Sequence, residues 1–229
     1  MPGHVLSLNV GAPEPNAAKG TLPTGIHKVP VAEADVRAPG PKHGGLGSGL
    51  DGDFIGDQRH HGGDYQAVYA FAREQLDRWG TELGRWLPNG AFGENLTTRG
   101  VAVDDALVGE RWAVGDEVVL EVCGPRIPCS TFQARMGERG WVRRFTEVGL
   151  TGAYLSVVTP GRVRQGDAVE VLDRPGHGIT VPMAFRAFTG DLDLAQRVLA
   201  AGCLVDVEAA ELRERVAKRR RSTPAPELD

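Results

Sequence analysis

The sequence predicts an α+β fold: a β-rich body with peripheral helices, followed by a small unit of three short helices. Three observations carry this reading. The 229 residues include 31 Gly and 15 Pro, about a fifth of the chain where average usage gives roughly 12%. With 41% hydrophobic and 24% charged residues, that excess marks a folded chain that turns often rather than a low-complexity one. Next, AVGDEVVLEV (113–122) and VRQGDAVEVL (163–172) each place an alternating apolar run after a Gly-Asp turn. Such units suit an antiparallel or mixed β-structure, with a barrel as one way to close it. Finally, from about residue 175 the pattern changes to capped helical segments.

Along the chain, His4–Val10 alternates and is β-branched, so it reads as a strand. GIHKVPV (25–31) reads as an edge strand or loop, because Pro30 cannot donate to a ladder. The Gly-rich segment 39–52 is a turn-rich loop. Ala67–Trp86 reads as a helix, with Val68, Phe71, Leu76, Trp79, Leu83 and Trp86 at helical spacing and a stop near Pro88 and Gly90. Val101–Ala106 follows, then short β units at 113–122 and 163–172, with a short helix expected over Met136–Val148. Thr180, Asp191 and Asp206 are N-cap residue types, and they predict helices to about Phe188, Ala201 and Arg220. The predicted organisation is therefore a body at 1–173, a three-helix unit at 174–220 and a disordered tail at 221–229.

Charge and targeting signals exclude several classes. Net charge is −4, which gives no global attraction to nucleic acid. No run approaches the roughly 18 apolar residues of a membrane span, and MPGHVLSLNVG lacks the basic start and apolar run of a signal peptide. The expectation is a cytoplasmic protein with neither nucleic acid nor membrane as partner. The three cysteines are Cys123, Cys129 and Cys203. Their odd number and the absence of CxxC argue against a disulfide scaffold or a structural zinc site.

Cys129 closes the loop CGPRIPC (123–129), three residues after Arg126. A thiol there, beside positive charge, is suited to exist as thiolate and so to act as metal ligand or nucleophile. The alternative is a small apolar packing residue, and local sequence leaves the two in balance. Cys123 and Cys203 sit in strand-like and apolar helical contexts and read as structural. GDQRHHGG (56–63) sets Arg59, His60 and His61 between glycines. Gly62 and Gly63 can bring amides close to an anion, or the segment is simply a polar turn. Asn95, in FGENLT, offers both donor and acceptor or, as local sequence favours, makes an Asx turn leading into a strand. Lys28 is a lone cation on a β segment, by default a solvated edge charge. No dinucleotide fingerprint or P-loop is present.

The ordered segments TGIHKVPV (24–31), GDQRHHGGDYQAVYAF (56–71), GAFGENLT (90–97), VGDEVVLEVCGPRIPC (114–129), GAYLSVVTPGRV (152–163) and QGDAVEVL (165–172) together resemble the MOSC family. This is the C-terminal domain of molybdenum-cofactor sulfurases. PGHGITV (175–181) through Leu212 resembles the three-helix domain of a bacterial subgroup that includes a 6-hydroxylaminopurine reductase. The resemblance implies a barrel-rich body that binds a molybdenum–pterin cofactor, with Cys129 of PRIPC as protein ligand to the metal. It implies reduction of N-hydroxylated small molecules, with electrons from a separate redox protein; the chain's lack of a flavin, haem or iron–sulfur pattern agrees with that. Pyridoxal phosphate, bound by a fused domain in eukaryotic relatives, is not expected here. Within the shared segments, Lys28, Arg59, Gly62, Gly63, Asn95 and Arg126 are the expected cofactor-binding residues, and His61 the expected proton shuttle. A Cys129 persulfide carrier and a non-catalytic cofactor-binding protein are alternatives that the same motifs allow. The 39–52 loop is longer than in the compact form of the family.

Overall fold

The computed structural model describes residues 3–20 and 22–222. Strands β1 (His4–Gly11), β2 (Lys28–Val31) and β3 (Glu33–Val36) precede β4 (Val68–Ala72), helix α1 (Arg73–Leu83) and β5 (Leu96–Arg99). Next come β6 (Arg111–Val114), β7 (Val118–Pro125), α2 (Ser130–Met136), α3 (Trp141–Val148), β8 (Ala153–Thr159), β9 (Gly161–Arg164) and β10 (Val169–Asp173). Helices α4 (Val181–Thr189), α5 (Leu192–Ala201) and α6 (Asp206–Ser222) complete the chain. Eight strands form one sheet in the order β10-β6-β7-β8-β4-β5-β1-β2, and β3 pairs with β9 in a separate ribbon. Only β4 and β5 run parallel among the paired strands.

The expected barrel is realised as a curled sheet with an incomplete seam. One bridge, His4 to Ala168, joins β1 to the turn before β10. Backbone bonds from Val5 N to Asp167 O and from Gly166 N to Val5 O, both 2.8 Å, flank it. No continuous ladder closes the ring, and β2 lies outside it at the sheet's edge, as Pro30 requires.

The expected helix at 67–86 is a correction. Its first third is β4, and only Arg73–Leu83 is helical. Every residue of β4 is buried, because the strand lies between two cores. Val68, Ala70 and Ala72 face the aliphatic interior of the curled sheet, while Tyr69 and Phe71 face an aromatic cluster with Leu76, Trp79, Phe92, Phe132, Trp141 and Phe145. A strand apolar on both faces loses its period of two and passes for helix. Trp86, counted in the helical stripe, is 77% exposed.

The helix expected at 136–148 is realised over Trp141–Val148 as α3, while Met136 ends α2, and Gly137 and Gly140, both at positive φ, separate the two. Residues 103–105 form a short 3₁₀ turn, the strand expected after the Asn95 turn is β5, and the strands β3 and β8 emerge where no strand is predicted. The capped helices hold. Thr180 Oγ1 accepts from Met183 N, and Asp191 Oδ1 accepts from Leu194 N at 3.0 Å. Helices α4 to α6 build a third core, around Ala184, Phe188, Val198 and Leu212, which takes in Val108 of the body. The chain stays helical to Ser222, and the rest of the expected tail lies outside the described residues.

Candidate functional site

A cleft opens where β7, the 54–61 turn and the segment before β2 converge. Its lining includes Lys28, His61, Arg126, Cys129 and Tyr154, with Ile26, Phe54 and Ile55 as an apolar wall. That wall depends on backbone packed against backbone: a Cβ on Gly25 would lie 2.1 Å from the Phe54 carbonyl, and one on Gly56 1.8 Å from that of Pro23. Only glycine permits so close a passage.

Cys129 is the N-cap residue of α2, in extended conformation after the proline loop. Burial pushes its thiol up. The hydrogen bond from His61, the charges of Arg126 and His61, and the Phe132 amide together outweigh that and bring it down to about 6. At neutral pH the sulfur is therefore predominantly thiolate. Arg126 is its buried counter-charge. The guanidinium lies 3.7 Å over the Phe132 ring and 5.2 Å from the Tyr69 centroid, and Nη1 donates to the Phe92 carbonyl. Burial opposes its charge, but Tyr69, Tyr154 and Cys129 outweigh that and hold its pKa above the ordinary value.

The Phe92 carbonyl is itself held in place. Buried Glu94 accepts from Gly90 N at 2.6 Å, Phe92 N at 3.0 Å and Thr97 Oγ1 at 2.7 Å, which folds 90–94 around one carboxyl. The order of support thus runs from Glu94 through the Phe92 carbonyl to Arg126 and on to the Cys129 sulfur.

Lys28 meets the cleft from β2 with its ammonium 2.5 Å from Asp53 Oδ1. Asp53 also accepts from Gly11 N (2.7 Å), Ser48 Oγ (2.6 Å) and Asn95 Nδ2 (2.9 Å). Burial lowers the pKa of Lys28 against the upward pull of that carboxylate.

The structure thus brings Cys129, His61, Arg126 and Lys28 together. It places the other expected residues elsewhere. Arg59 points outward, 69% exposed, toward Asp57 at 3.4 Å. The amides of Gly62 and Gly63 are already spent, on Gln66 Oε1 (3.2 Å) and the Gly47 carbonyl (2.9 Å), so they form no anion nest. Asn95 is buried behind the cleft, where Oδ1 accepts from Tyr69 N at 3.0 Å and Nδ2 holds Asp53. Asp57 anchors the mouth: the bond from Lys19 at 2.5 Å, helped by His60, holds its carboxyl far below the usual range against burial. Asp53 and Glu94 brace the cleft and Tyr154 lines it, and motif reading singles out none of the three. Among the described residues no group of three His, Cys, Asp or Glu side chains could hold a metal by itself. A metal here would rely on the single thiolate and on ligands it brings with it.

The family model described as MOSC domain matches residues 57–170. YflK of Bacillus subtilis (strain 168) is 34% identical over 204 residues, covering 87% of this chain and 88% of that protein. The chain belongs to the MOSC family. The matched segment contains His61, Arg126, Cys129 and Tyr154 and leaves Lys28 outside. A Gibberella moniliformis (strain M3125 / FGSC 7600) protein named as a reductase is 28% identical over 181 residues, 76% of this chain but 30% of that one. The MOSC fold seen here follows the crystal structure of YiiM from Geobacillus stearothermophilus, with a TM-score of 0.71 at 22% identity over 94% of this chain and all of that one. No described helix is long and apolar enough to cross a membrane.

Proposed function

We propose that the chain is a molybdenum-cofactor-dependent reductase of N-hydroxylated compounds, hydroxylaminopurine-type bases among them, fed with electrons by a separate redox protein. The observation that supports this best is a thiolate at Cys129, set between a buried guanidinium and an imidazole at the floor of a cleft. A thiolate is a ligand for soft and high-valent metals, and the donor set fits a metal that arrives with its own anionic ligand. When bound, the molybdenum–pterin group supplies two-electron chemistry able to accept an oxygen atom.

The chain's own residues have separable tasks. Cys129 would hold the metal, and Arg126 keeps that sulfur ionised from behind. Lys28 and Arg126 add positive charge beneath an anionic ligand. His61, which lines the cleft with Cys129, is placed to carry a proton between the cleft and solvent. Ile26, Phe54 and Ile55 offer an apolar surface to a flat ring. Helices α4 to α6, proposed as a separate domain over 174–220 behind a body of 1–173, would receive the electron donor.

Metal analysis tests the reading. Protein from a cofactor-competent host is expected to carry near-stoichiometric molybdenum and to reduce hydroxylaminopurine with an artificial donor, and Cys129→Ser to lose both. Turnover of hydroxylaminopurine by metal-free protein would overturn the mechanism. A labile single sulfur on Cys129 without molybdenum would assign the thiol to sulfur transfer instead.

A further inference from the structure

Two tyrosines lie near the Arg126 guanidinium, and only one has used its hydroxyl. Tyr69 donates to the Thr151 carbonyl at 2.7 Å. Tyr154, on β8 at the register of Gly124 in β7 and Tyr69 in β4, has its ring centroid 5.2 Å from that of Tyr69 in a tilted contact and lines the cleft with Cys129. Its hydroxyl donates to no described residue and is not among the polar atoms sealed from solvent. Burial pushes its phenol up, Arg126 draws it down, and the negative sulfur pushes it up again, with a net rise that keeps it a neutral donor. An unpartnered O–H on the wall of a cleft that also holds Arg126 and the Cys129 sulfur is available to an oxygen acceptor.

We propose that the Tyr154 hydroxyl is a ligand-binding donor of the cleft, giving its hydrogen bond to an oxygen carried by the group held at the Cys129 sulfur. The ligand class is an oxyanion or an oxo-bearing centre: Lys28 and Arg126 supply charge, and Tyr154 supplies direction. This extends the proposed reductase reading and rests on it for the identity of the natural ligand, but not for the donor role itself.

The experiment is calorimetric titration of the cofactor-free chain with sodium molybdate, in wild type, Tyr154→Phe and Cys129→Ser. Wild type is expected to bind, and Tyr154→Phe to bind roughly ten- to a hundredfold more weakly, the worth of one hydrogen bond to a charged acceptor. The melting temperature of Tyr154→Phe should not fall, because the lost hydroxyl has no protein partner, whereas a purely structural role would lower it. Equal affinities in wild type and Tyr154→Phe overturn the proposal, as does a wild type that binds no molybdate. The reductase reading fails by a different result: cofactor-loaded wild type that turns over no N-hydroxylated substrate while Tyr154→Phe still weakens molybdate binding.

Discussion

Lys28 and Arg126 are buried cations on two sides of one cleft, and they are neutralised in different ways. Lys28 has a carboxylate at 2.5 Å, and that carboxylate is braced by Gly11, Ser48 and Asn95. Arg126 has two ring faces and a carbonyl, and the negative group facing it is the Cys129 sulfur. A buried charge must find a counter-charge or give up its ionisation. On the Lys28 side the counter-charge belongs to the scaffold, so the pair holds the fold. On the Arg126 side the counter-charge is the reactive atom, so the same physics activates a thiol.

The largest expected effect comes from breaking the scaffold pair. Asp53→Ala leaves the Lys28 charge buried and unpaired, and removing one partner of a buried pair costs roughly 3–5 kcal/mol. Thermal unfolding should show a fall of about 10 °C for a chain of this size. Adding Lys28→Met to Asp53→Ala should recover part of that loss, because the orphaned charge is gone. If the folded Asp53→Ala protein also shows an altered Cys129 titration, the two sides are one network and the contrast fails.

The thiol side predicts a pH-dependent stability of definite sign. Cys129 titrates at about 6 when folded, and near 8.5 when unfolded. Between those values the unfolded state holds the extra proton, so stability rises with pH. The contribution is complete above the unfolded value and is lost as pH falls through 6. Comparing wild type with Cys129→Ala by denaturant unfolding from pH 6 to 9 should show a gap that widens by up to about 1.4 kcal/mol per pH unit. A gap that stays flat would mean the sulfur is not ionised in the folded protein.

Legibility in the sequence divides along local and non-local lines. The helical end reads well because Thr180 and Asp191 cap within their own turn. β4 reads as helix because two cores meet on it, a fact that no window around 68–72 contains. In the site, Arg126 and Cys129 are joined by a short proline loop, and their motif marks both. Asp53 escapes notice because, Ser48 apart, its partners lie 25 to 42 residues away. Arg59, Gly62 and Gly63 carry the right local chemistry for an anion site. Whether their donors are free depends on Asp57, Gln66 and Gly47, which only the folded chain decides.

Arg126→Gln tests the thiolate's counter-charge alone. It keeps a polar group near the Phe92 carbonyl but removes the positive charge, so the Cys129 titration should move up by about one pH unit. Iodoacetamide labelling at pH 6 should then slow several-fold, since the thiolate is the nucleophile. The other two cysteines serve as internal references: burial pushes Cys123 up to about 12 and also raises Cys203. Wild-type labelling near neutral pH is thus expected at Cys129 alone, as peptide mapping would show.

The smallest effect should come from Arg59→Ala, which sharpens the comparison by standing outside it. Arg59 is cationic and sits in the same shared segment as His61, yet it is 69% exposed and touches Asp57 only at 3.4 Å. Exposed pairs of this kind contribute about 0–1 kcal/mol, and Lys19 and His60 remain to satisfy Asp57. Melting temperature and the Cys129 labelling profile should both stay at wild-type values. A shift in the labelling profile would show that outward charge reaches the sulfur through the mouth of the cleft. Burial of the counter-charge would then no longer be what separates Arg126 from its neighbours.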